Sequence, residues 1–197
     1  MTEAEECAPD DSLSRAIAGE SAGFAMLVRS HQRSVYSLAL RMLSDRHKAQ
    51  DLAQEVFLQL HRSLAVIESH AHLSFWLRKV TVNRAIDRLR REPKYETVRL
   101  EENLNLVSDA RERDPLLQRR LRELVGRLPP APRGVMLLRY QEDLDPLEIA
   151  RILDMPPNTV KSHLKRSLAI LREQVTAFMG PDGTPSEPGP SFTKRDQ

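Results

Sequence analysis

Residues 148–167 read EIARILDMPPNTVKSHLKRS. Two aliphatic stripes flank a turn that holds adjacent prolines, and the segment after the turn is polar and basic on one side. With Val160 at zero and 100 degrees per residue, Leu164, Leu168 and Leu171 fall within about 80 degrees, a core-facing stripe. Ser162, Arg166 and Thr159 lie on the far side, flanked by Lys165 and His163. The helix before the turn is expected at about Pro146 to Leu153, where Ala150 lets two axes approach closely. Asp154 is placed to take the left-handed conformation that ends a helix. Asn158 or Thr159 is expected to cap the next helix. A helix packed by one face and offering short polar groups and a guanidinium on the other suits the DNA major groove. Arg166 and Ser162 are candidates for base edges, Lys161 and Lys165 for phosphates, and Thr159 and His163 for either. The competing reading is a helical hairpin with a solvated basic face.

The surrounding chain is helical in pattern, and no alternating stretch suggests a buried strand. Phe24, Leu27, Val28, Val35, Leu38, Ala39 and Met42 form one stripe. Ala49, Leu52, Ala53, Val56, Phe57 and Leu60 form a second, and Val82, Ala85, Ile86 and Leu89 a third that stops before Pro93. These predict a helical domain over residues 12–92, after an acidic, disordered start at 1–11. Residues 93–114 lose periodicity and gain acids, as a solvated linker does. Extended, such a linker reaches on the order of 70 Å, enough for the halves to sit on separate surfaces. A second domain is expected over 115–179, opening with Leu117, Leu121, Leu124, Val125 and Leu128 on one face, closed by LPPAPR (128–133) and followed by a helix through Val135, Leu138 and Tyr140. Residues 180–197 have too few apolar side chains to offset ordering entropy and are expected to be a disordered tail. The fold class is therefore all-α: two small helical domains joined by a flexible linker.

Charge placement is more informative than the total. The formal net charge of the 197 residues is only +2, yet Trp76 to Arg91 carries Arg78, Lys79, Arg84, Arg88, Arg90 and Arg91 against the single acid Asp87. On that segment Trp76, Asn83 and Asp87 share one side, opposite the apolar stripe. An indole beside an amide and several guanidiniums suits stacking on unpaired bases, worth about 1–3 kcal/mol per base. A packed core indole is the alternative. On the preceding helix Asp51, Gln54, Glu55, Leu58 and Arg62 face outward, a docking patch or a solvated face. The lone Cys7 excludes an internal disulfide framework. No run of about 18 apolar residues predicts a membrane span. A cytoplasmic location is expected.

Three stretches, DRHKAQDLAQEVFLQLHRSL (45–64), FWLRKVTVNRAIDRLRRE (75–92) and the segment LRELVGRLPPAPRGVMLLRYQEDLDPLEIARILDMPPNTVKSHLKRSLAILRE (121–173), together resemble the extracytoplasmic function (ECF) class of bacterial sigma factors. The resemblance covers about residues 24–173. It implies a region 2 helical bundle and a region 4 helix-turn-helix bundle without the intervening region 3. It further implies RNA polymerase core and promoter DNA as partners, with an anti-sigma protein as a further candidate. By the same resemblance Asp51, Gln54, Glu55 and Phe57 lie where the polymerase is held, beside the outward Leu58. Trp76, Asn83, Asp87, Arg88 and Arg91, with Arg84 among them, match the segment that opens and reads the minus 10 element. Lys161, Ser162, His163, Lys165 and Arg166, capped by Thr159, match the minus 35 recognition helix. ESHAHLS (68–74) stands where such proteins commonly carry a Phe-Arg-Gly-like stretch, in the loop expected to hold a flipped base. Asp154 and Asn158 replace glycines usual in the turn, and His163 a common Arg.

The residues leave two other functions open. One is a conventional helix-turn-helix regulator that binds duplex DNA without polymerase. The other is a metal enzyme using His70 and His72 with Glu68 or His61, a weak ligand signal because a closed site needs more donors and supporting hydrogen bonds. His31 lies on an apolar stripe and reads as a packed histidine. No nucleophile-and-base pair or phosphate-cradling loop stands out, so no catalysis, metal or cofactor is expected.

Overall fold

The computed structural model describes residues 9–91 and 115–179. The expectations for residues 1–8, for the linker 93–114 and for the tail 180–197 lie outside the described residues. The described residues form eight α-helices and one 3₁₀ turn: α1 (Pro9–Ile17), α2 (Ser21–Leu43), α3 (Arg46–Ser63), the turn Leu64–Val66, α4 (His70–Arg91), α5 (Pro115–Gly126), α6 (Pro130–Tyr140), α7 (Pro146–Leu153) and α8 (Pro157–Met179).

In the first half, α2, α3 and α4 pack around Leu27, Leu40, Met42, Leu52, Val56, Leu60, Leu73 and Val82, all essentially sealed from solvent. Asp45 starts α3 by accepting the Lys48 N–H at 3.0 Å, which satisfies one of the donors a helix start leaves orphaned. Helix α1 is an addition to the expected bundle. It begins at Pro9, so residues 9–11 belong to a helix rather than to a disordered start. It buries Leu13 and Ala16 and lies against α2 at Gly23, where a Cβ would meet the Ala16 nitrogen at 2.6 Å. Only glycine admits that approach of the two backbones.

A second correction concerns residues 70–74, which are helical rather than looped. Ser69 Oγ accepts the His72 N–H at 3.1 Å, and His72 Nδ1 accepts the Glu68 N–H at 3.4 Å. The polar run is thus a reciprocal start signal for α4, in the manner of a capping box with histidine in the returning role.

In the second half, α7 spans the expected residues. Asp145 and Glu148 form its capping box: Asp145 accepts the Leu147 and Glu148 N–H groups, and Glu148 accepts the Asp145 N–H at 2.8 Å. Asp154 ends α7 at φ 49° and ψ 48°, the left-handed conformation expected of it. The start of α8 differs from expectation. Pro157 already lies in the helix, and the Pro156 carbonyl accepts the Thr159 and Val160 N–H groups. Asn158 and Thr159 therefore sit inside the first turn instead of capping it. Leu124, Leu128, Met136 and Leu171 form a small core of their own, with Leu164 and Leu168 packed against it. Leu121 turns away from this core and is exposed.

The halves are not apart. One continuous apolar cluster runs from α2, α3 and α4 into Val135, Leu137, Leu138, Ile149, Ile152, Leu153 and Val160. Helix α6 packs on α2 and α4, and α7 packs on α4. Gly134 is the closest point of this seam, because a Cβ there would lie 3.0 Å from Val82 Cγ1 and 3.5 Å from Ile86 Cδ1. Beside it the buried Arg133 guanidinium donates to the Met42 carbonyl at 2.6 Å, to the Leu128 carbonyl at 3.1 Å, and to the Gly126 carbonyl. Those oxygens sit at or just beyond the C-terminal ends of α2 and α5, where helices lack internal donors and carry partial negative charge.

Candidate nucleic-acid and polymerase interface

Helix α4 carries its apolar stripe inward and leaves its opposite side to border an open cleft of about 830 Å³ against α3. Trp76, Asn83, Arg84, Asp87, Arg88 and Arg91 all line it. Their shared position follows from helical spacing. Lys79, Val80, Phe75 and His72 on α4, and Gln59 and Glu55 on α3, complete the lining; Glu55 was read from the sequence as part of the polymerase patch and His72 as a weak metal ligand, and none of the six was assigned to this cleft. Lys79 belonged to the recognised basic run, and Glu55 and Gln59 are four apart on one face of α3, so both signals were present.

Electrostatics hold the cleft in shape. Glu55 bridges two arginines, at 2.9 Å to Arg84 Nη1 and 2.6 Å to Arg88 Nη2, while Arg84 Nε donates to Gln59 Oε1 at 2.9 Å. Arg88 also donates to the Lys48 carbonyl at 3.2 Å. These pairs are partly exposed, so each contributes at most about 1 kcal/mol to stability. Their larger effect is to fix guanidinium planes that would otherwise sample many rotamers.

On α3, Asp51, Gln54 and Leu58 are exposed, with Leu58 at 61%. Two neighbours assigned with them are half-buried. Glu55 turns toward α4, and Phe57 is half-buried against the core. The outward patch is thus narrower than the sequence suggested.

On α8, Lys161, Ser162, Lys165 and Arg166 are exposed, Thr159 and His163 are half-buried, and Val160 is sealed. The helix presents one polar, basic face to solvent over a packed base. The buried Ser167 lies on the inner stripe with Leu164 and Leu171.

The histidines do not assemble a metal centre. His72 serves the start of α4, His61 stacks edge-on against Phe24 at 5.0 Å, and no group of three or more His, Cys, Asp or Glu able to hold a metal occurs among the described residues. His31 borders a small cavity of about 60 Å³ with Ser34, Ser74 and Arg78. Burial, followed by the charges of His70 and Arg78, pushes its pKa down. No helix of the described residues is long and apolar enough to cross a membrane.

The two halves match two family models, Sigma-70 region 2 over residues 27–94 and Sigma-70 region 4 over residues 118–171. The ECF RNA polymerase sigma factor SigW of Bacillus subtilis is 30% identical over 170 residues, which cover 80% of this chain and 91% of the relative. The RNA polymerase sigma-E factor of Streptomyces coelicolor is 33% identical over 163 residues, covering 81% and 89%. Among solved structures, CnrH in complex with the cytosolic domain of CnrY superposes with a TM-score of 0.62 at 19% identity over 86% of this chain and 98% of that one. The sigma factor RpoE in complex with the anti-sigma factor NepR from Bartonella quintana gives 0.59 at 19% over 77% and 96%. Two region matches in the order the helices dictate, full-length relatives at this identity, and the shared fold place the chain in one family: it belongs to the ECF class of bacterial RNA polymerase sigma factors.

Proposed function

We propose that this chain binds the core of bacterial RNA polymerase through the exposed patch of Asp51, Gln54 and Leu58, and directs it to promoters that α4 and α8 read. Its place of action is the cytoplasm, and the polymerase supplies the catalysis. Trp76, Asn83 and Asp87, with Arg84, Arg88 and Arg91, take the minus 10 element as its strands part. The indole stacks on an unpaired base while the guanidiniums hold phosphates. Thr159, Lys161, Ser162, His163, Lys165 and Arg166 take the minus 35 duplex in its major groove. Each reading is weak alone, and the linker makes the second effectively intramolecular once the first is made.

The observation that carries this proposal is the cleft: six residues assigned to one task from the sequence line one cavity on α4. Glu55 joins the two activities, since it stands on the helix of the docking patch and grips two of the cleft arginines. The test is co-purification with core polymerase. Asp51→Arg with Leu58→Arg changes two exposed side chains, so the helical circular dichroism should be unchanged while polymerase retention falls at least tenfold. Full retention by the double variant would remove this patch from the account.

A further inference from the structure

We infer that the small cavity between α2 and α4 is a phosphate site, separate from the nucleic-acid cleft, which takes a terminal phosphate either as the inorganic ion or on a small metabolite. Promoter reading plays no part in it.

The cavity, about 60 Å³, is bordered by His31 and Ser34 from α2 and by Ser74, Arg78 and Thr81 from α4. It shares no lining residue with the cleft. Helical spacing sets the two apart: at 100 degrees per residue, Ser74, Leu77, Arg78 and Thr81 centre about 150 degrees from Trp76, Asn83 and Asp87. Val35, Leu38 and Leu77 form buried apolar walls, which strengthen any charge interaction inside. Ser34 is exposed and marks the side on which solvent enters.

Hydrogen-bond accounting points to an anion. Thr81 Oγ1 donates to the Leu77 carbonyl at 2.7 Å, and Arg78 Nε donates to Glu142 at 2.7 Å. The two Nη groups of Arg78, the His31 ring and the hydroxyls of Ser34 and Ser74 have no protein partner among the described residues. His70 Nε2, close enough for its charge to act on His31, is buried and likewise unpartnered. Buried polar groups in folded proteins nearly always find a partner, and each of these groups is able to donate. No carboxylate lines the cavity, since Glu142 is held on Arg78 Nε, outside it. The Nη pair of Arg78 is left as a fork of the kind that grips phosphate oxygens.

His31 carries the same imbalance. Burial, then His70 and Arg78 on α4, lower its pKa, and the Glu142 carboxylate beyond α6 is spent on Arg78. A phosphate supplies the missing negative charge and favours the protonated imidazole, which donates from both nitrogens. Shape selects among anions. The cavity has room for roughly four waters, close to the bulk of one tetrahedral phosphate. Such an ion presents oxygens to both helices at once, whereas a planar carboxylate presents its two along one edge.

Nuclear magnetic resonance of the histidine rings in the full chain tests this. Signals assigned with His31→Gln and His70→Gln are followed as inorganic phosphate, or adenosine 5′-monophosphate, replaces chloride at constant ionic strength. The expected result is saturable movement of the His31 and His70 signals with a dissociation constant of ~1 mM or tighter, a rise in the His31 pKa, and no movement of His61, which is stacked on Phe24. At ten times that constant the ligand should raise the thermal midpoint by about 4 °C. Ser74→Leu fills the cavity and should weaken binding at least tenfold. Should that variant fail to fold, Ser34→Leu closes the mouth from an exposed position with the same expected loss. Arg78→Lys keeps the charge without the fork and should bind at least fivefold more weakly. Saturation by inorganic phosphate identifies the free ion as sufficient; saturation by the monophosphate alone identifies a metabolite-borne phosphate. If neither probe moves His31 and His70 by ~20 mM, twenty times the expected constant, or if Ser34→Leu binds as tightly as wild type, the site is overturned.

Discussion

Replacing Arg133 by methionine should destabilise the chain by about 3 kcal/mol, and the size of that loss follows from where its charge goes. The residue is only 8% exposed, burial pulls its pKa down, and its guanidinium donates to the carbonyls of Met42, Gly126 and Leu128. A hydrogen bond to a charged group contributes about 1.5–3 kcal/mol net, so the set is worth on the order of 4.5–9 kcal/mol before desolvation. Burying the cation costs several kcal/mol, which methionine does not incur. The difference leaves ~3 kcal/mol, in keeping with the ~1–3 kcal/mol that each orphaned buried acceptor costs once the relief of desolvation is set against it. Methionine fills most of the space, so the loss reports orphaned carbonyls rather than a cavity. Arg133→Lys retains the charge but lacks the fork, and should lose about half as much. Urea unfolding followed by circular dichroism measures both. With a slope of about 2 kcal/mol per molar, the methionine variant should unfold about 1.5 M earlier. Because the two halves share one apolar cluster, a single transition is expected. A methionine variant within ~0.5 kcal/mol of wild type would mean that desolvation cancels the three bonds, a possibility for buried ions in general, and would refute the reasoning.

Three further outcomes are expected. Arg166→Ala should relax base preference in the upstream element by about 1–3 kcal/mol, five- to 150-fold, whereas Lys165→Ala should weaken binding evenly and flatten its salt dependence; footprinting of polymerase complexes across a randomised upstream element separates them. Trp76→Ala should leave the closed promoter complex intact and reduce strand opening at least tenfold, read as loss of permanganate reactivity at promoter thymines, from a stacking loss of about 1–3 kcal/mol. His31 has its pKa lowered below 6.5 by burial, then by His70 and Arg78, so the unfolded chain binds its proton more readily. Its contribution is intact above pH 6.5 and is lost as pH falls through the folded-state value; thermal unfolding of wild type and His31→Gln should therefore diverge at neutral pH and converge in acid.

What the sequence made legible was local. The bounds of α7 follow from proline, a capping box and a left-handed Asp154, all set by neighbouring residues. The shared side of Trp76, Asn83 and Asp87 follows from helical spacing alone. Helix α1 escaped notice because nine residues carry too few apolar positions to show a period. The start of α4 was hidden because a Ser and His exchange of backbone hydrogen bonds looks like a polar loop. Glu55 and Phe57 were assigned to the docking surface and are half-buried, Glu55 tied to Arg84 and Arg88 and Phe57 packed on the core: a half-buried position on a helix fits either face until its neighbour is known. The seam lay furthest from reach. Arg133 pairs with Met42, and Arg78 with Glu142, across sequence distances at which periodicity carries no information. In hindsight an arginine followed by glycine within the otherwise apolar run to Leu138 marks a site where something must be capped and something must approach.

The most direct test of the central claim is transcript mapping. The purified chain, mixed with bacterial core polymerase and fragmented genomic DNA, should yield RNA 5′ ends that cluster downstream of one shared pair of sequence elements about 25 base pairs apart, absent with core polymerase alone. Transcripts whose start sites are the same with and without the chain would contradict it.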